Sequence, residues 1–126
     1  MSTRPRIALL AALLASTAMA QTSVSYDGTW AASFDGRSGI ERDATLVLKD
    51  GMGTWKAVAY SRKDACTGLE SPVVVTEARD DGLVLEVHRS KVLVGCTDWR
   101  VRLKLVDAQT LTGHFSADRT VTLKRR

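Results

Sequence analysis

The two histidines, His88 and His114, are the residues of this chain best suited to metal binding or general base work. A zinc site takes three or four ligands at recognisable spacing. Both histidines fall at positions expected to face outward on strands. The only cysteines, Cys66 and Cys96, are expected to be spent on each other. No metal site is therefore expected. Serines are present, but none sits in a nucleophile-elbow motif. Glu70, Glu77 and Glu86 show no pairing of two carboxylates across a scissile bond. No Gly-rich phosphate loop opens a helix. These absences argue against an enzyme and against a bound cofactor.

The densest chemistry lies in one segment, Arg89 to Arg100. It places the apolar trio Val92, Leu93 and Val94 in a stretch that reads as a loop, between Arg89–Lys91 and Trp99–Arg100. A second loop-like stretch, 61–70, carries Arg62 and Lys63 and contains Cys66. A Cys66–Cys96 bridge would pin the two loops together, and loops on a rigid scaffold are common carriers of binding. Arg62, Lys63, Arg89 and Lys91 would then gather at one place, favouring an acidic partner or an anionic ligand. Val92, Leu93, Val94 and Trp99 would supply apolar contact. The alternative is that the trio extends a strand and packs inward as a lid.

The elements that must position these residues read as strands. Apolar and polar residues alternate in eight runs, and no window shows a helical period. The runs centre on 29–34, 45–49, 55–60, 73–76, 83–88, 100–105, 110–115 and 120–124. Short Asp- and Gly-rich connections at 50–53, 80–82 and 107–109 carry turn chemistry. Longer connections are expected at 36–42, 61–72 and 90–98. If each strand pairs with the next, all three long loops fall at one end, joined there by the 116–119 turn. The expected fold is all-β: a small eight-stranded antiparallel up-and-down barrel with one disulfide. Closure of strand eight on strand one removes exposed edges.

Residues 1–20 read as a cleavable signal peptide. Arg4 and Arg6 precede the apolar run 7–15, and Ala18-Met19-Ala20 makes an A-x-A site before Gln21. The apolar run is too short to span a bilayer. Residues 21–27 form an N-terminal segment and residues 28–126 the barrel domain. Two of the 18 basic residues and none of the 14 acidic residues lie in residues 1–20, so the formal charge falls from +4 to +2 on cleavage. A charge of that size does not argue for nucleic acid. Two cysteines in an exported chain suit a disulfide. A periplasmic or secreted location is expected, with no membrane span after cleavage.

Gly28-Thr29-Trp30, opening the first strand, resembles the G-x-W of the calycin group, which comprises lipocalins and avidin-like proteins. In lipocalins that Trp closes the barrel floor under a basic residue near the chain's end. The resemblance implies that Trp30 plugs the floor, that Gly28 lets the backbone turn into the strand, and that Arg125 covers the indole. Leu111-Thr112-Gly113-His114-Phe115 is similar to a late avidin strand. Gly53-Thr54-Trp55-Lys56 and Ala65-Cys66 also resemble the small periplasmic inhibitors of secreted metalloproteases. Those are eight-stranded barrels with one disulfide, although there the partner cysteine comes earlier in the chain.

Together these features imply a non-catalytic binding protein. Its partner is either a small ligand inside the barrel or a protein, such as a secreted enzyme that it inhibits, held at the long-loop end. The first reading expects a cavity beside the small inward residues Ala32, Ala57, Ala59 and Gly113. The second expects a filled barrel and an exposed apolar patch.

Overall fold

The computed structural model describes residue 3 and residues 24–35, 41–59, 65–116 and 119–126. The expected cleavage site at 18–20, Arg62 and Lys63 lie outside them. Eight strands follow in order: β1 (Gly28–Asp35), β2 (Glu41–Lys49), β3 (Met52–Ala57), β4 (Ser71–Arg79), β5 (Gly82–Val87), β6 (Trp99–Asp107), β7 (Thr110–Ser116) and β8 (Arg119–Arg125). Each is antiparallel to the next, and β8 pairs with β1 from Trp30↔Arg125 to Phe34↔Val121. The sheet is therefore a closed barrel in sequence order. One turn of 3-10 helix, Arg89–Lys91, lies between β5 and β6. Among the described residues no helix is long and apolar enough to cross a membrane.

The period-two pattern dictates which side chains enter the barrel. Trp30, Ala32 and Phe34 on β1, Val101 and Leu103 on β6, and Val121 and Leu123 on β8 are buried, while Arg100, Arg102 and Lys104 face solvent. Val84 breaks the rule. Its position faces outward, yet it is only 4% exposed. Its cross-strand neighbours Glu77 and Arg102 stand on either side of it.

A flat sheet of eight strands cannot close, so the strands must bend, and bulges and glycines are the usual means. Register shifts occur between Val75 and Glu77, Leu105 and Asp107, and His114 and Ser116. At Gly53, Gly82 and Gly113 a Cβ would overlap the carbonyl oxygens of Val47, Leu103 and Arg102 respectively. Only glycine fits these close approaches.

Three boundaries differ from the sequence reading. The third strand stops at Ala57. Val58 N–H reaches Asp43 O at 2.9 Å, and the chain then leaves the sheet. Ala59 is consequently exposed rather than inward. The second strand begins at Glu41, where β1 supplies a partner at Asp35. The fourth begins at Ser71 and admits Pro72 opposite Thr54. A proline is tolerated so near a strand's start because it removes only one donor.

The tight turns at 50–51, 80–81 and 108–109 lie at one end, which residues 24–27 close as a floor. Trp30 is completely buried there, and its indole N–H donates to Tyr26 O at 3.0 Å. Tyr26 is 6% exposed, and its hydroxyl donates to the carbonyl of Arg79. Burial, then the charges of Asp81 and Asp80, raise the Tyr26 phenol above its ordinary pKa. The Arg125 guanidinium lies 4.2 Å over the Trp30 ring. It also donates to Asp27 O at 2.6 Å and to Ser25 O at 3.0 Å. Gly28, at φ +130°, makes the bend into β1, with Arg125 Nη1 3.3 Å from where a Cβ would stand.

Candidate functional site

Residues 65–70 and 88–98 lie at the opposite end, where the disulfide joins them. Cys66 and Cys96 are bonded, with Cα atoms 5.7 Å apart. Cys96 is 6% exposed.

The 88–98 loop is held at both its ends. His88 N–H donates to Pro72 O at 2.9 Å. Ser90 donates its N–H to Asp98 Oδ1 at 2.8 Å and its hydroxyl to Oδ2 at 2.9 Å. These bonds from Ser90, with a smaller contribution from His88, hold the Asp98 carboxyl below the ordinary carboxylate range. Arg89 Nε donates to Thr97 O at 2.8 Å, and its guanidinium lies 4.0 Å over the Trp99 ring. Gly95, at φ +94°, turns the chain back toward Cys96. Left-handed backbone of that kind favours glycine.

The expected apolar trio is neither a strand nor an inward lid. Val92 and Leu93 follow the 3-10 turn and are 44% and 40% exposed, and Val94 is 94% exposed. Lys91 beside them is exposed as well. The structure thus brings Arg89, Lys91, Val92, Leu93, Val94 and Trp99 into one braced loop and its base. Arg89 is engaged by its stack on Trp99 rather than standing free.

Beneath that loop lies an aromatic cluster. Phe34, Trp55, Trp99 and Phe115 meet with ring centroids 5.1–6.3 Å apart. Such tilted and edge-on contacts are the favoured geometries. Each of the four lies within two residues of a strand end at the long-loop side. Counting strand direction would have gathered them, but of the four only Trp99 was expected to take part in binding. Trp55 is 3% exposed, and its indole N–H has no hydrogen-bond partner among the described residues. Below the cluster, Leu46, Leu85, Leu111, Leu123, Val73, Val87 and Val121 are all fully buried. Ala32 and Ala57 join this packed core, and the space beside Gly113 is taken by Leu103 Cδ2.

The histidines are placed differently from one another. His114 is an exposed residue of β7. His88 lies past the end of β5, not on a strand, and its side chain is only 20% exposed. Nε2 is 3.3 Å from Glu86 Oε2, and Nδ1 is 3.6 Å from Asp98 Oδ2. The nearby Ser90 hydroxyl is turned to Asp98 rather than to the imidazole. Among the described residues no group of three or more His, Cys, Asp or Glu is placed to hold a metal ion.

No protein-family model and no curated protein matches the sequence. Among solved structures the chain is similar to a redesigned β-barrel, at 18% identity and a TM-score of 0.53, over 79% of this chain and 90% of that one. At that identity the likeness is one of fold: the chain is an eight-stranded antiparallel β-barrel.

Proposed function

We propose that this is an exported, non-catalytic binding protein that engages a protein partner through its long-loop end. The observation that carries the reading is Val94. It is 94% exposed at the tip of a loop held by a disulfide, an Asp98–Ser90 clamp and an Arg89–Trp99 stack. A floppy loop exposes apolar residues by default. A braced loop that holds Val92, Leu93 and Val94 outward keeps apolar surface in water at a standing cost, and recovers it when a partner covers the tip. Lys91 on the same loop favours an acidic rim on that partner.

The packed interior supports this reading over a small ligand held inside the barrel. Side chains just fill an eight-stranded barrel unless residues are small, and here leucines, valines and aromatics occupy it. Export is supported by the disulfide and by the leader-like character of residues 1–20. A calycin-type origin has its support in the Gly28–Trp30–Arg125 floor. Inhibition of a secreted enzyme is the form of partner binding that a rigid, loop-tipped barrel serves well.

The test is native mass spectrometry of the protein taken from its own producing cells, beside Val94→Asp. A defined protein complex that Val94→Asp abolishes, and that Val106→Asp at the floor end leaves intact, is the expected result. A small molecule co-purifying with both variants, without a protein partner, would overturn the reading.

A further inference from the structure

We infer that the outer wall of the barrel, away from the long-loop end, carries a binding groove for a small organic dianion. A groove of about 410 Å³ opens on the outside of β4 to β7. The registers arrange its lining in two rows. One runs Glu77, Val84, Arg102, His114, and the next runs Arg79, Gly82, Lys104, Thr112.

Gly82 makes the gap. It stands between Arg79 and Lys104 in its row, and a Cβ there would overlap the carbonyl oxygen of Leu103. The space is therefore built into the backbone, because no larger residue fits without moving β6. Val84 lies at the base of the groove, buried between Glu77 and Arg102.

The charges on the rim are unequal. Glu77 is paired with Arg79. Asp81 lies at the floor edge of the groove, where its charge acts on Tyr26. Arg102 and Lys104 are exposed on β6, and among the described residues no side-chain hydrogen bond or ion pair ties either of them. His114 lies directly opposite Arg102. Arg102 and Lys104, neighbours on one sheet face, repel one another, and a bound anion would relieve that repulsion. Arg102 and Lys104 are two residues apart on one strand, so their side chains rise about 7 Å apart. Two carboxylates at that separation, on a short body lying over Gly82, complement the groove. Pockets of this size are usual for small ligands.

The test is a titration of the purified protein with adipate, followed by backbone amide NMR at low salt. Adipate carries two carboxylates at about this spacing, and hexanoate is its one-carboxylate counterpart. Saturable shifts at Gly82, Val84, Arg102 and Gly113 are expected, weakened about tenfold or more with hexanoate or in Arg102→Gln/Lys104→Gln, since each charge-assisted bond is worth more than a neutral one. Lys56→Gln/Lys124→Gln removes the same charge elsewhere and is expected to leave the affinity unchanged. The substituted positions are exposed, and unchanged spectra outside the groove verify the fold. Shifts that do not saturate, that spread over all basic side chains, or that persist equally in Arg102→Gln/Lys104→Gln would overturn the inference. Inorganic phosphate, as a separate arm, distinguishes a carboxylate site from a general anion site. Equal binding of phosphate and hexanoate would overturn the dianion assignment. Val94→Asp leaves this groove untouched, so its failure and that of the long-loop reading are separable.

Discussion

Trp30 shows how one side chain can hold several elements. Its ring is completely buried, its N–H is satisfied by Tyr26, and its outer face is covered by Arg125. Trp30→Ala is expected to cost about 3–5 kcal/mol, the usual range for emptying a buried aromatic site. Urea denaturation monitored by far-UV circular dichroism measures it, and a cost below about 1 kcal/mol would refute the floor as a structural keystone. Asp98 is the matching case at the other end. Its folded-state pKa lies below the ordinary value, so its contribution to holding the loop is fully present above that value. The contribution is lost as pH falls through the lower, folded pKa. The Ser90 amide resonance is expected to titrate below the ordinary Asp value. Asp98→Asn removes that titration. A midpoint at the ordinary value would show that the Ser90 bonds do not favour the charged form.

Strands close into a barrel only where they can bend. Gly113 illustrates the constraint: its virtual Cβ overlaps the carbonyl oxygen of Arg102 and lies 3.0 Å from Leu103 Cδ2. Gly113→Ala is therefore expected to destabilise by about 1–3 kcal/mol, as overpacked core sites do, or to force β6 and β7 apart. Thermal unfolding compares it with Gly51→Ala, where nothing lies within 4 Å but φ is +78°. The second variant carries only the conformational cost of left-handed backbone, about 1–2 kcal/mol. If Gly51→Ala proved the worse of the two, close packing at Gly113 would not be what bends the wall. The alternation of these elements was readable from side chains alone, because a strand's two faces see different solvents. Their ends were not. β3 runs to Ala57, opposite Ala44 of β2 and two residues past its last pairing with β4 at Ser71, and its neighbours' register is not written in β3 itself.

The whole molecule is a meander closed twice, once by β1 against β8 and once by the disulfide across two loops. The bridge spans a sequence separation of 30. Loop-closure entropy for a ring of that size is worth roughly 3–4 kcal/mol. Cys66→Ser/Cys96→Ser is expected to lower stability by about 2–5 kcal/mol. The cost appears as a reduced urea midpoint, with an amide spectrum that stays native for residues 28–34 and 119–125. Loss of the barrel spectrum at that seam would mean that the bridge, not the strand pairing, closes the fold.

Alternation, turn residues and strand count together determined the barrel, its strand order and the end at which the long loops gather. Each rests on local chemistry, a side chain's preference for water or core and a turn's need for Asp or Gly. The Cys66–Cys96 pairing followed from there being only two cysteines, and Arg125 over Trp30 from the calycin resemblance together with the strand direction at the chain's end. Tertiary structure alone decided that Tyr26 and the residues around it fold under the floor, since three carbonyls there become useful only once Trp30 and Arg125 are in place. It also decided that Val94 faces water, because the turn at Gly95 and the clamp at Asp98 fix the loop's course against the pull of apolar burial. The gap at Gly82 belongs to the same class. It exists because four strands align their rows, and no single strand records its neighbours' register.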